Sequence, residues 1–221
     1  MRSLDFDALW NYNDPVATEA KFRALLPEAK RVVGEYHLEL LTQLARAQGL
    51  QRKFAEAHAI LDQVEHAPTL TPRVRIRYLL ERGRTFNSSG QREQARPLFL
   101  QACELGSTNG EDNLAVDAAH MLGIVETGEE SLHWNEIAIA HAEQSSDAKA
   151  RNWLGSLYNN TGWTYHDMGR FDAALDKFQR ALVFRQAQGN VGNIRIAKWS
   201  VARCLRSLKR VSEALVMQRE L

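Results

Sequence analysis

A small residue recurs at one place in five successive stretches of the chain, and this repeat constrains the fold more than any other feature. The stretches start 38 to 40 residues apart, at Leu38, Ile76, Val116, Gly155 and Arg195. Their eighth residue is always Ala or Gly, namely Ala45, Gly83, Gly123, Gly162 and Ala202. The twentieth residue is Ala in four stretches and Asn135 in the third. Apolar residues around these positions follow helical spacing, so the pattern predicts an all-α chain of antiparallel helix pairs that approach closely at small residues.

The fourth stretch carries the fullest set of recurring residues. Between Gly155 and Ala187 these are Gly162, Tyr165, Gly169, Phe171, Ala174, Phe178 and Ala181. The set resembles the tetratricopeptide repeat family, and the resemblance extends over residues 38–221. It implies an α-solenoid, a right-handed superhelix of helix pairs. A basic repeat has about 34 residues, so the longer spacing here is similar to that of bacterial and motor-associated members. The third repeat departs from the pattern at Glu126 and Asn135.

The first 37 residues lie outside the repeats and are predicted to cap the first one. Asp14-Pro15 is a helix start, with Asp as the N-cap and Pro at the first helical position. Pro27 is expected to end this helix. Its apolar side is predicted to carry Val16, Phe22, Leu25 and Leu26. The predicted organisation is therefore a cap over residues 1–37 followed by one continuous solenoid of five repeats over 38–221.

Composition limits where the protein acts. Hydrophobic residues make up 44% of the chain and charged residues 25%, with a formal net charge of +1. No run approaches the roughly 18 apolar residues of a membrane span, and acids interrupt the N-terminus where an export signal would be apolar. Cys103 and Cys204 stand alone, which is typical of buried, reduced thiols. We therefore expect a cytoplasmic protein with no membrane partner.

No motif for chemistry is present. The sequence lacks HExxH, P-loop, GxSxG and dinucleotide-binding glycine patterns. His133 and His141 are eight residues apart on one helix, too far to chelate one ion, and Glu129-Glu130 lies at a predicted turn. We expect no catalytic activity, no metal and no cofactor.

The resemblance also implies a binding surface. In this family the first helix of each repeat lines the concave face, mainly through positions two, five, six, nine, twelve and thirteen. Positions five, nine and twelve supply the candidate groove residues, which are Arg46, Arg84, His120, Asn159, Trp163, His166, Trp199, Arg203 and Arg206. Guanidinium groups bind carboxylates in pairs of hydrogen bonds, and Trp offers a large contact area. The predicted partner is a protein or peptide with acidic groups. For Trp199, a place in the core is the alternative.

Charge changes sign along the chain. The segment from Glu104 to Asp147 holds ten acids and no Lys or Arg, whereas Lys177 to Arg219 holds ten bases and one acid. An acidic middle interrupts any basic stripe that could track nucleic acid, so we expect no nucleic-acid partner. Two functions remain open: a non-enzymatic adaptor or scaffold that binds peptides in its groove, or the ligand- or peptide-sensing module of a regulatory system.

The last predicted helix is apolar on its outer side. From about Val211 it is expected to present Val211, Ala214, Leu215 and Leu221. Monomers rarely expose large apolar patches. Three explanations stay open: the natural chain continues beyond Leu221, a partner covers the end, or two copies pair there as a homodimer.

Overall fold

A computed structural model describes residues 6–31 and 35–221, and over these ranges the chain forms helices and turns without a strand. The all-α prediction is therefore confirmed. The chain divides into two compact units, one ending at Ala118 and the other beginning at Ala119. Within the described ranges, no helix combines the length and the apolar character needed to cross a membrane.

The N-terminal unit is a series of antiparallel helices. A single 3-10 turn at Phe6–Leu9 precedes them. The helices are α1 (Pro15–Ala29), α2 (Glu35–Leu50), α3 (Phe54–Glu65), α4 (Pro72–Ser88), α5 (Arg92–Thr108) and the first half of α6 (Asp112–Val125). Helix α2 packs against α1, α3 and α4, and α4 packs against α5.

Helix α1 begins as predicted and ends later than predicted. The Asp14 carboxylate accepts a hydrogen bond from the Ala17 N–H at 2.9 Å, so Asp14 is the N-cap. The expectation that Pro27 ends the helix is wrong, because α1 continues to Ala29. Proline removes one hydrogen bond, and this close to the helix end the loss is small. The placement of Val16 on the apolar side is also wrong: its side chain is 62% exposed, whereas Phe22 is fully buried.

The C-terminal unit repeats the antiparallel arrangement. After the second half of α6 come α7 (Gly128–Gln144), a short α8 (Ala148–Arg151), α9 (Leu154–Asp167), α10 (Phe171–Gln188), α11 (Val191–Ser207) and α12 (Val211–Arg219). Helix α10 packs between α9 and α11, and α11 packs against α12. On α12 the predicted exposure of Val211, Leu215 and Leu221 is observed, but that of Ala214 is wrong, because Ala214 is buried against Val201 and Leu205.

The small residue at position eight makes room for an aromatic ring. A methyl group added at Gly83 would lie 2.5 Å from the Phe99 ring, and one added at Gly162 would lie 2.6 Å from the Phe178 ring. Both phenylalanines occupy position twenty-four of their own repeats and are fully buried. The third repeat replaces this pair with a polar one, in which the Asn135 side chain covers Gly123. In the second, third and fourth repeats, a side chain of the second helix therefore rests on a glycine of the first.

Candidate functional site

Helices α9 and α11 lie side by side and form a mixed aromatic and basic surface. On α9, Asn159, Trp163 and His166 follow a spacing of four and three residues, which places them on one face. On α11, the residues with the same helical spacing are Arg195, Trp199, Arg203 and Arg206. The Ser200 hydroxyl donates to Asn159 Oδ1 at 3.0 Å and joins the two helices. We call these seven residues the α9–α11 face.

Two tryptophans form the centre of this face. Their ring centroids are 5.7 Å apart and their planes are tilted by 38°. Trp163 also packs edge-on against the buried Phe178, with centroids 4.9 Å apart, so it is anchored in the core. Trp199 rests on Trp163 and is 45% exposed. The structure thus places Trp199 at the surface, with one side of its indole supported and the other available for contact.

His166 connects the aromatic pair to the basic residues. Its ring lies 5.2 Å from Trp163 and 5.1 Å from Phe171, and its Nε2 is 2.9 Å from Ser207 Oγ on α11. The same hydroxyl accepts a hydrogen bond from Arg203 Nη1 at 3.1 Å. With its side chain only 12% exposed, His166 positions Ser207 and Arg203 more than it offers surface.

The arginines of this face have no acidic partner among the residues that the structure describes. Within the described residues, Arg203 and Arg206 form no ion pair, and Arg206 and Arg195 are exposed. Positions two and six of the fourth and fifth repeats explain this. They hold Ser156, Asn160, Ile196 and Ser200, none of which carries a charge. Within the described residues, the three guanidinium groups of the α9–α11 face are therefore unpaired, and Asp167 Oδ1 lies 3.8 Å from His166 Nδ1.

In the N-terminal unit, by contrast, the predicted groove arginines are already paired. Arg46 Nη1 lies 3.2 Å and Arg84 Nη1 2.6 Å from the same oxygen, Oε1 of Glu81. Arg84 Nη2 also contacts the Asp117 carboxylate. Burial alone would lower the pKa of the Arg84 guanidinium, but Asp117 and Glu81 outweigh it and raise that pKa. The structure thus brings Arg46 and Arg84 together around a carboxylate that is 2% exposed.

The Arg46 guanidinium is further enclosed by aromatic rings. Its central carbon lies 5.6 Å from the Trp10 ring centre and 5.4 Å from that of Tyr12, and these two rings stack 4.9 Å apart. The Trp10 indole N–H donates to Gln43 Oε1 at 2.9 Å. These contacts fix Arg46 as part of the packing between the N-terminal segment and α2.

A second acid joins neighbouring repeats in the same unit. The buried Glu39 carboxylate contacts Arg73 Nε at 3.2 Å and Arg77 Nε at 2.6 Å, and Arg73 reaches Glu111 at 2.5 Å. The position-six and position-two carboxylates, which include Glu39 and Glu81, were not among the predicted site residues. They occupy groove positions of the repeat, and reading those positions for acids would have identified them.

His120 stands apart from the other predicted site residues. It lies on α6 with 8% of its surface exposed, and its ring is 5.4 Å from that of Trp153. Over the described ranges, no group of three His, Cys, Asp or Glu side chains could hold a metal ion. Of the predicted site residues, the structure brings six together on the α9–α11 face, where an aromatic pair lies beside guanidinium groups: Asn159, Trp163, His166, Trp199, Arg203 and Arg206.

Comparisons with known proteins agree with the helical pattern. Residues 154–187 match the family model of the tetratricopeptide repeat. The structure is similar to that of BtubC (BKLC) from P. vanneervenii, with a TM-score of 0.70 and 14% identity over 98% of this chain and 92% of that one.

Two further solved structures are similar. The putative kinesin light chain of Podosopora anserina, with its nearly identical TPR-like repeats, has a TM-score of 0.67 and 16% identity, over 85% of this chain and 94% of that one. MamA AMB-1 has a TM-score of 0.53 and 18% identity, over 81% and 94%. At these identities the likeness shows the fold alone. Comparison with curated protein sequences finds no match.

Proposed function

Because this chain is a tetratricopeptide repeat protein, we propose that it binds a peptide, free or as a segment of another protein, on the α9–α11 face. The proposed activity is binding alone, without chemistry on the ligand. The observation that supports it best is the exposed Trp199 indole, held on Trp163 and accompanied by arginines that form no ion pair with the described residues. A supported, half-exposed Trp beside Arg is the composition of a binding hot spot.

The chemistry of the face defines the class of peptide. An apolar side chain would cover the free side of Trp199, since aromatic rings bury large areas and lose little side-chain entropy. One or more carboxylates would then pair with Arg203 and Arg206, whose guanidinium groups carry no competing ion pair within the described residues. The ligand is therefore expected to combine acidic and apolar residues at short spacing.

In the N-terminal unit the predicted groove arginines are already paired with acids, and this supports the α9–α11 face as the peptide site. An acidic peptide approaching Arg46 or Arg84 would have to displace Glu81 or Asp117 from contacts that are already formed. Breaking a buried ion pair leaves an uncompensated charge and is strongly unfavourable. A peptide that binds Arg203 displaces no acid, since the Arg203 guanidinium donates to the neutral Ser207 hydroxyl.

A selection from a random peptide library displayed on phage tests the proposal. We expect the enriched peptides to combine acids with an apolar residue, and we expect Trp199→Ala to weaken their binding by about 2 kcal/mol, or roughly thirtyfold. Val183→Ala is the matched control. Val183 is also an exposed apolar residue of the C-terminal unit, but it lies on α10 and is not part of the α9–α11 face. Enriched peptides that bind both variants equally well would exclude the α9–α11 face as the binding site.

A further inference from the structure

A small cleft next to the α9–α11 face contains an arginine that forms no ion pair with the described residues. The cleft has a volume of about 190 Å³ and lies among α9, α10 and α11. Its polar lining consists of Arg185 from α10, Ser156, Asn159 and Asn160 from α9, and Asn193 from α11. Asn159 belongs to both surfaces, so the cleft is continuous with the proposed peptide site.

The Arg185 guanidinium is held in place by neutral groups. Its Nη2 donates to Ser156 Oγ at 2.8 Å and its Nη1 to Gln188 Oε1 at 2.9 Å. The guanidinium lies against Gly155, where an added methyl carbon would be 2.5 Å from Nε. Each terminal nitrogen has two N–H groups, so one N–H on each remains for a ligand. A carboxylate accepts such a pair of N–H groups with its two oxygens.

Among the described residues, no acidic side chain pairs with the Arg185 guanidinium. Burial lowers the pKa of Arg185, and no carboxylate in the described part of the chain opposes that effect. The side-chain amides of Asn160 and Asn193 form no hydrogen bond with the described residues, so they are available as donors. A site with one cationic group and neutral amide donors is suited to an anion with a single negative charge.

We propose that this cleft is a carboxylate-binding subsite that receives one acidic side chain, or the C-terminal carboxylate, of the peptide bound on the α9–α11 face. The inference rests on the proposed function and adds an anchor on the second helix of the repeat. The volume favours a single group, since pockets for whole small molecules measure about 300–1,000 Å³. Ile196, 59% exposed at the rim, would contact the adjoining apolar part of the peptide.

The test is an NMR titration of the ¹⁵N-labelled protein with small model compounds. N-acetyl-glutamate methylamide supplies a side-chain carboxylate, N-acetyl-alanine a C-terminal one, and N-acetyl-glutamine methylamide is the uncharged control. We expect the carboxylate compounds to shift the Arg185 Nε–H and the Asn160 and Asn193 amide signals, with a dissociation constant of about a millimolar. The compound that binds more tightly identifies the source of the carboxylate, and tighter binding of inorganic phosphate would overturn the assignment to carboxylate.

Two variants separate the geometry of Arg185 from its charge. Arg185→Gln should weaken carboxylate binding by about tenfold or more. Gly155→Ala keeps the charge but places a methyl group against the guanidinium and displaces it, so it should weaken binding as well. Arg219→Gln, which removes an exposed charge on α12, should leave binding unchanged. Equal weakening by Arg185→Gln and Arg219→Gln would show general charge attraction and refute the subsite.

The same spectra distinguish this inference from the proposed function. If the carboxylates shift the Trp163 and Trp199 indole signals and leave Arg185 unmoved, the subsite is refuted and the peptide face stands. If Arg185 responds while Trp199→Ala binds the selected peptides normally, the cleft is a carboxylate site and the α9–α11 face is not the peptide site.

Discussion

Lowering the pH should loosen helix α1 from its neighbours through protonation of Glu19. This carboxylate is 7% exposed and accepts hydrogen bonds from Arg23 Nε at 2.9 Å, Gln51 Nε2 at 2.7 Å and Lys53 Nζ at 3.1 Å. Arg23 Nη2 adds a fourth hydrogen bond at 2.6 Å and Gln48 Nε2 a fifth at 3.3 Å. Glu19 is thus the point at which α1 is bonded to the end of α2 and to the residue preceding α3.

The size of the effect follows from the pKa of Glu19. Burial alone would raise this pKa, but the hydrogen bonds from Arg23, Gln51 and Lys53 lower it from 4.5 to about 2. Because the folded pKa is depressed, the stabilisation is complete above the unfolded value of 4.5 and is lost as the pH falls towards 2. Each pKa unit corresponds to about 1.4 kcal/mol, so the whole contribution is about 3 kcal/mol. Roughly 2 kcal/mol of it disappears between about pH 7 and about pH 3.

Urea unfolding at these two pH values measures the loss. At the higher pH the wild type should have a larger free energy of unfolding than Glu19→Gln. At the lower pH this difference should be smaller by about 2 kcal/mol. Glu28→Gln, which removes an exposed acid from the same helix, is the control and should show no such pH dependence. If the difference between the wild type and Glu19→Gln is the same at both pH values, the pKa of Glu19 is not depressed in the folded protein.

Three further changes have defined outcomes. Gly162→Val forces the Phe178 ring from its place and should lower the free energy of unfolding by about 3 kcal/mol in a denaturant titration, with partial recovery in the double variant with Phe178→Leu. Glu81→Gln removes the shared carboxylate between two arginines and should cost about 2 kcal/mol in the same assay; no loss would mean that these ion pairs do not stabilise the N-terminal unit. The double variant Arg203→Gln/Arg206→Gln should reduce the salt dependence of the affinity for a selected acidic peptide, as isothermal titration at two ionic strengths would show, and the charges of Arg185 and Arg195 account for the dependence that is left. An unchanged salt dependence would place the acidic contacts elsewhere.

The repeat pattern predicted the parts of the fold that depend on local shape. Gly83 and Gly162 were identified by register alone, and the structure sets each against the phenylalanine at position twenty-four. The Asp14 N-cap was also predicted correctly, because Asp directly before Pro is typical of a helix start. Pro27 was misread because a proline removes only its own i→i−4 hydrogen bond, and α1 continues for two residues beyond it despite that loss.

The site was less predictable, because charge depends on neighbours in space. Arg46, Arg84 and Arg203 share position nine, and nothing in that position alone distinguishes a paired arginine from an unpaired one. The difference comes from Glu81 and Asp117, at positions six and two, and it could have been anticipated from those positions. Arg185 lies on the second helix of its repeat, outside every predicted groove position. Its cleft depends on how α9, α10 and α11 pack, which sequence spacing does not reveal.

The central claim, that a peptide binds on the α9–α11 face, is tested most directly by the indole N–H signals of the five tryptophans. A peptide from the library selection would be titrated into the ¹⁵N-labelled protein while these five signals are followed. We expect the signals of Trp163 and Trp199 to shift and to saturate with the dissociation constant measured for the peptide. The signal of Trp10, which lies beneath Arg46, should stay unchanged. A shift of Trp10 with Trp163 and Trp199 unmoved would contradict the central claim.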